Sequence, residues 1–283
     1  MKKIAVLTDS SSGYTFNQAK QHHIYMLSLQ IIIDNETYED GIDLTSQDLI
    51  VKLNENKRIR TSTPTLANML KMFQTIKADG YDHVLAIPLS ASLSSTACYL
   101  KQAALEVGID IDIIEIYSTM FVQQHVVKLV QQCVNQNMEI VDILAFVKPI
   151  IANARTLILP SDLHYLKAGG RLTPAAAALA TVLKIRPILA LDQNTKGKVD
   201  VIDKVRTDKK AIHTMVNRVK KMIKHKNVHV YIGHSDAFEK ALYVNELLMK
   251  EGVNQDDITI TDLVAVIMSH TGKGCVGIQV IEK

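Results

Sequence analysis

Residues 1–12 read MKKIAVLTDSSS, a short apolar run that ends in small polar residues. The pattern recurs at 84–90, where VLAI leads into PLS, and at 228–236, where VHVYI leads into GHSD. Short β-branched runs that end in turn residues predict strands, and helical patterns follow each of them. Strand, polar loop and helix in succession predict an α/β fold. In open α/β sheets ligands bind at the carboxyl ends of strands, so these loops are where we expect a site.

Apolar side chains at helical spacing extend this prediction. Leu66, Met69, Phe73 and Ile76 fall on one face of a helix. We expect Pro64 at its first position and Thr63 as its N-cap. Further helices are predicted from near Ser94, over 141–153, around 208–224 and over 237–251.

The length of 283 residues favours two domains. A helical pattern ends and the run LILPSDL begins near 152–157, so we divide the chain into 1–154 and 155–283. Both parts are predicted to be α/β domains.

Composition argues against several classes of protein. A net charge of +3, few aromatic residues and no Trp argue against a nucleic-acid-binding protein. The apolar stretch 175–191 is interrupted by Lys184, Arg186 and Pro187, so it predicts no membrane span. The basic run RVKKMIKHK at 218–226 indicates either a solvated helix face or a docking patch for an acidic partner.

The three cysteines, Cys98, Cys133 and Cys275, lie far apart and form no CxxC pair. This argues against a disulfide framework and a zinc ribbon, and it favours a cytoplasmic protein. None of the ten histidines has the spacing and acidic neighbours of a metal site, so no metal is predicted.

Two clusters of hydroxyl side chains stand at predicted helix starts. Residues 60–65 read RTSTPT and residues 90–96 read SASLSST. Capping would use one or two hydroxyls in each cluster. Because hydroxyls and free N–H groups at a helix start also form an anion site, the two clusters favour a pocket for an anion.

Two glycine-containing stretches supply further candidate residues for binding an anion. Residues 270–277 read HTGKGCVG, in which Gly272, Gly274 and Gly277 satisfy G-x-G-x-x-G. A strand-like run follows them instead of a helix, so this is not a dinucleotide site. His270 could donate a hydrogen bond to a carboxylate, or it could be an ordinary core residue. The second stretch, HYLKAGGR at 164–171, indicates a helix C-cap or an Arg placed for an anion.

An enzyme is the competing interpretation. Ser94 as nucleophile, His270 as base and Asp9 or Asp236 as orienting group would make a serine hydrolase acting on acyl esters. The G-x-S-x-G nucleophile elbow is absent from the sequence, which counts against it. A docking module that acts through its basic residues alone is a third possibility.

Taken in order, the motifs resemble the DegV family of lipid-binding proteins nearly end to end. The resemblance rests on TDSS at 8–11, TSTPT at 61–65, SASLSST at 90–96, DLHYLKAGGRL at 162–172, KIRPIL at 184–189, KVR at 204–206 and HTGKG at 270–274.

The family resemblance implies a two-domain α/β fold with a ligand tunnel between the domains. It implies a long-chain fatty acid as ligand and no other cofactor. The carboxylate would be held by Thr61 with Ser62, by Ser94, and by His270 with Thr271.

The resemblance also implies a carrier rather than an enzyme. Its partner would be the catalytic subunit of a fatty acid kinase, docked at Arg171 and Arg206. That kinase would convert the carboxylate to an acyl phosphate for phospholipid synthesis, with at most transient membrane contact by the carrier. In one place the sequence departs from the family, which has Gly where this chain has Ser95. A side chain at that position could narrow the approach to the headgroup.

Overall fold

A computed structural model of the chain describes residues 3–55, 57–181, 185–223 and 226–283. Within these ranges the strands are Ile4–Asp9 (β1), Ile24–Leu27 (β2), Gln30–Ile33 (β3), Glu36–Glu39 (β4), Ile59–Ser62 (β5), His83–Ile87 (β6), Asp110–Ile113 (β7), Arg155–Leu159 (β8), Arg186–Ala190 (β9), Asp200–Val205 (β10), Val228–His234 (β11), Ile258–Asp262 (β12) and Val276–Glu282 (β13). The helices are Phe16–Gln21 (α1), Ser46–Asn54 (α2), Leu66–Ala78 (α3), Thr96–Val107 (α4), Phe121–Asn135 (α5), Ile140–Asn153 (α6), His164–Ala168 (α7), Pro174–Ala178 (α8), Asp208–Ile223 (α9), Phe238–Lys250 (α10) and Ala265–Thr271 (α11).

The first sheet is parallel, with strand order β2-β1-β6-β7. Strand β6 is buried along its whole length, as expected of a strand covered on both faces. Helices α5 and α6 pack in one hydrophobic core cluster with this sheet, and α3 and α4 pack in another. The sheet brings the ends of β1 and β6 side by side, so the loops after Asp9 and Ile87 are neighbours.

A six-stranded mixed sheet follows, with order β10-β9-β8-β13-β11-β12. Strands β11 and β12 are parallel, and the other neighbouring pairs are antiparallel. Helices α9 and α10 bury their apolar sides against it. The last strand of the chain, β13, therefore lies in the interior of the sheet.

A small antiparallel sheet, β4-β3-β5, carries Thr61. Ile31 of β3 pairs with Thr61 of β5 and is fully buried. Apolar residues of α11 pack in the same core cluster as this sheet. That packing brings residues near 60 and near 270 together.

The prediction of a mixed α/β fold is confirmed, and the strands expected near 4, 84, 228 and 276 are present. The helices expected near 66, 94, 141, 208 and 237 are present as α3, α4, α6, α9 and α10. The division at 154 and the tunnel between two domains stay predictions. Lys184 of KIRPIL and Lys224 and His225 of the basic run lie outside the described residues.

One capping prediction is wrong. The N-cap of α3 is Thr65, whose Oγ1 accepts a hydrogen bond from Asn68 N at 3.1 Å. Pro64 therefore precedes the helix, and Thr63 is free of the capping role that we expected. The strand β5 extends to Ser62, so the hydroxyls at 61–63 belong to a strand end and not to a helix start.

No helix in the described ranges is long and apolar enough to cross a membrane.

Candidate functional site

A cavity of about 320 Å³ lies where β5, α4, α7 and α11 meet. Six of the seven predicted site residues line it: Thr61, Ser62, Ser94, Arg171, His270 and Thr271. The remaining lining residues are mainly apolar: Leu29, Leu89, Leu93, Tyr99, Ile158, Leu166, Leu191, Val199, Val266 and Ile267, together with the polar Thr63, Ser95 and Thr119. Arg206 is exposed just after β10 and is not among the lining residues.

Thr61 and His270 form the centre of the polar end of the cavity. The distance between Thr61 Oγ1 and His270 Nε2 is 2.7 Å, a hydrogen bond in which the imidazole tautomer decides which atom donates. Burial, together with the positive charge of Arg171, lowers the pKa of His270 to about 4. His270 is therefore neutral at physiological pH, with one nitrogen able to donate and one able to accept.

Arg171 places a cation at this polar end. Its Nε donates to Leu93 O at 3.1 Å, and its guanidinium also donates to Gly169 O. Burial lowers the pKa of Arg171, yet a guanidinium stays protonated in proteins. No Asp or Glu is among the described lining residues, so Arg171 has no carboxylate partner in the cavity wall. The polar end is thus rich in donors and suits an anion.

Two glycines explain why residues 164–171 and 270–274 pack so closely. A Cβ added at Gly169 would lie 2.3 Å from His270 Nδ1, and one added at Gly272 would lie 2.3 Å from the Tyr165 ring. Gly272 also has a φ of +67°, which favours glycine. The close contact of α7 with α11 therefore needs hydrogen atoms at both positions. The close contact explains why glycine stands at Gly169 in GGR and at Gly272 in HTGKG.

Ser94 lies in the loop before α4. Its Oγ lies 2.8 Å from Thr96 Oγ1 and accepts a hydrogen bond from Thr96 N at 3.3 Å. Ser95 is the N-cap of α4 with φ −80° and ψ 6°. Any residue adopts that conformation, so the serine that replaces the family glycine causes no backbone strain.

The described contacts do not favour the serine hydrolase alternative. The hydroxyl of Ser94 bonds to Thr96, and the imidazole of His270 bonds to Thr61. Asp9 is buried in a separate network, where it accepts hydrogen bonds from Ser11, Leu89 N and Gln123. Asp236 pairs with Lys273 at 2.9 Å. Neither acid therefore orients His270.

The described part of the basic run and the three cysteines lie outside this cavity. Arg218 of the basic run pairs with Asp203 at 3.0 Å, and Lys220 pairs with Glu251 at 2.5 Å. The three cysteines are free thiols. Among the residues that the structure describes, no group of three or more His, Cys, Asp or Glu side chains could hold a metal ion.

Sequence reasoning missed two parts of the site. Tyr99 of α4 lines the cavity and is 43% exposed, and Thr119 lies in the wall further in. An aromatic residue on the exposed side of a helix does not indicate a binding role when only one sequence is considered. Thr119 lies between Tyr117 and Met120, which both have positive φ, and no composition rule detects such a segment.

The chain is similar to known proteins along almost its whole length. A family model described as "Uncharacterised protein, DegV family" matches residues 3–283. A DegV domain-containing protein of Streptococcus pyogenes is 32% identical over 282 residues, which cover 98% of each chain.

Solved structures show the same fold. A fatty acid binding DegV family protein from Streptococcus agalactiae superimposes with a TM-score of 0.91 at 31% identity, over 100% of both chains. DegV from Bacillus subtilis, described as a fatty acid binding protein, superimposes with a TM-score of 0.87 at 26% identity, again over 100% of both chains.

Proposed function

The chain belongs to the DegV family, and we propose that it binds one long-chain fatty acid and presents the carboxylate to a separate ATP-dependent fatty acid kinase. The kinase would convert the bound acid to an acyl phosphate for phospholipid synthesis. The carrier itself performs no chemistry in this proposal, and it acts in the cytoplasm. Its free cysteines are in keeping with a reducing compartment.

The observation that carries the proposal is a donor-rich cluster at one end of an apolar cavity. Arg171, His270 and the hydroxyls of Thr61, Ser62 and Ser94 supply hydrogen-bond donors without a lining carboxylate. A buried carboxylate is costly unless it is paired and hydrogen-bonded. This cluster would meet that need with charge-assisted bonds.

The apolar wall supplies the rest of the binding free energy. Burying a methylene is worth about 0.8 kcal/mol, so a chain of about 15 methylenes gains up to ~12 kcal/mol before other terms. Lost translational and rotational freedom reduces this gain considerably. A bare anion would gain nothing from the ten apolar or aromatic side chains of the wall. The combination therefore supports a fatty acid over a small anion.

Two basic residues support the docking part of the proposal. Arg171 reaches the cavity, and Arg206 is exposed after β10. A kinase that approaches the carboxylate brings the phosphates of ATP, so positive charge near the mouth would favour its docking. The docking part of the proposal rests on the family resemblance and on charge.

Native mass spectrometry of the protein purified from a bacterial host tests the proposal. We expect a mass excess equal to one fatty acid, which denaturation releases. After delipidation, added palmitate should restore the mass and raise the melting temperature. Absence of lipid in the purified protein, together with no thermal shift on adding fatty acids, would contradict it.

A further inference from the structure

A second, smaller chamber of about 50 Å³ adjoins the inner end of the main cavity. The two share five lining residues: Thr119, Ile158, Leu191, Ile267 and Thr271. Thr61, Ser94, Arg171 and His270 line only the main cavity. The small chamber therefore extends the space away from the polar end.

The floor of this chamber is a pair of glycines in the middle of the six-stranded sheet. Gly233 of β11 is paired directly with Gly277 of β13, and Gly277 is paired in turn with Ile158 of β8. Directly paired residues point their side chains to the same face of a sheet. Ile158 carries a side chain at its position in this row, whereas the two glycines carry none. Glycine inside a strand often marks a place where another group approaches the backbone.

The space above the glycines differs between the two. A Cβ added at Gly233 would lie 2.7 Å from Leu263 Cδ2, so Leu263 already covers that position. A Cβ added at Gly277 would meet Leu157 O at 3.4 Å as its nearest neighbour, an ordinary contact distance. Gly277 therefore tolerates a methyl group, and that methyl would project into the chamber.

The walls around the glycine pair are held firmly. Phe121 stacks on Tyr231 with ring centroids 4.7 Å apart and an interplanar angle of 8°. The amide of Gln279 accepts from Phe121 N at 2.9 Å and donates to Thr119 O at 2.9 Å and to Thr156 Oγ1 at 3.0 Å. Because every polar group of Gln279 has a partner, this side of the chamber has little freedom to widen.

We propose that Gly277 forms the seat of the terminal methyl of the acyl chain, beside Leu263 over Gly233, and that Gly277 sets the longest chain that fits. The inference rests on the proposed fatty-acid function and adds the position of the chain end. With the carboxylate held at Thr61 and His270, the number of carbons decides how far the methyl reaches. A chain that ends in the chamber buries its last methylenes, and a longer chain meets the sheet backbone.

The experiment replaces Gly277 and reads chain-length preference. Delipidated protein is offered an equimolar mixture of saturated straight-chain acids from lauric to arachidic, and the bound acids are extracted and quantified. We expect Gly277→Ala to shift the preferred length about one methylene shorter, and Gly277→Val to shift it further. Each methylene that loses its place should lower relative binding about fourfold.

A second variant, which should favour longer acids, distinguishes a change in the size of the chamber from a loss of folding. Cys275 lines the same chamber and is fully buried. Cys275→Ala removes the sulfur and should shift preference towards longer acids. Ile278→Val is the matched control, because Ile278 is next to Gly277 on β13 but packs in the core on the opposite face. It should leave the preferred length unchanged.

The outcomes separate this inference from the proposed function. If the wild-type protein binds none of the acids, the fatty-acid function itself is wrong. If the wild type binds acids and both Gly277→Ala and Cys275→Ala retain its length distribution, the fatty-acid function stands and the glycine seat is wrong. Opposite shifts in the two variants support the seat.

Discussion

Thr61 Oγ1 and His270 Nε2 lie 2.7 Å apart although 209 residues separate them in the chain. One belongs to a strand of the small sheet and the other to α11. The two side chains satisfy each other. A carboxylate that enters between them replaces one neutral hydrogen bond with charge-assisted bonds, which are roughly twice as strong. We therefore expect the carboxylate to bind at this pair.

Thr61→Val tests the hydroxyl. Valine keeps the shape of threonine and favours strands, so the fold should persist. Loss of a hydrogen bond to a charged group should weaken fatty-acid binding about tenfold, or ~1.5 kcal/mol. Isothermal titration calorimetry with delipidated protein measures this.

Thr37→Val is the matched control for that substitution, because Thr37 is exposed on β4 of the same small sheet. It should leave the affinity unchanged. Equal affinity of the Thr61→Val protein and the wild type would show that the carboxylate lies elsewhere.

Gly169→Ala tests the contact between α7 and α11. The new methyl would lie 2.3 Å from His270 Nδ1, so the imidazole must shift and its hydrogen bond with Thr61 is disturbed. Overpacking of this kind costs about 1–3 kcal/mol, and we expect a lower melting temperature together with weaker fatty-acid binding.

Ala168→Ser serves as the control in these thermal melts, because Ala168 is the exposed neighbour in α7. The contact is irrelevant to binding if Gly169→Ala has the affinity of the wild type.

His125 should make stability fall on acidification. Burial, with smaller contributions from His229 and Lys128, lowers its pKa to about 4 from an ordinary value near 6.5. The unfolded chain therefore binds a proton between pH 6.5 and 4 that the folded chain does not. The stabilising contribution is complete above pH 6.5 and is lost as the pH falls towards 4.

Urea unfolding from pH 7 to pH 4 measures this contribution as a difference between the wild type and His125→Gln. The wild type should lose roughly 2–3 kcal/mol more than the variant over this range. The comparison is needed because burial raises the pKa of Asp40 to about 7, which acts in the opposite direction. Parallel pH profiles of the two proteins would contradict the assignment.

Arg206→Glu separates docking from binding. Arg206 is exposed and does not line the cavity, so fatty-acid affinity should stay at the wild-type value. Reversed charge at the proposed docking surface should slow acyl phosphate formation by a fatty acid kinase at least tenfold at low salt. Lys209→Glu, on the exposed start of α9, is the control for the general effect of charge. An unchanged rate for Arg206→Glu would remove this residue from the docking surface.

The sequence predicted the parts of the fold that depend on local pattern. Apolar runs such as 84–87 and the periodic face of α3 gave strands and helices in the right places. The position of the N-cap was wrong because Thr63 and Thr65 are both suitable caps. Only the observed start of α3 at Leu66 decides between them.

The site could be predicted only as a set of separate motifs. That Thr61 meets His270 depends on the packing of α11 against the small sheet, which is a tertiary effect. The approach of Gly169 to His270 and the pairing of Gly233 with Gly277 depend on helix contact and strand register. No local rule in one sequence reports either of them.

A crystal structure of the protein with bound palmitate tests the central claim most directly. Our account predicts a carboxylate oxygen within hydrogen-bonding distance of Thr61 Oγ1 and His270 Nε2, with the terminal methyl directed towards Gly277. A carboxylate found in the chamber over Gly233 and Gly277, or a fatty acid bound outside the cavity, would contradict it.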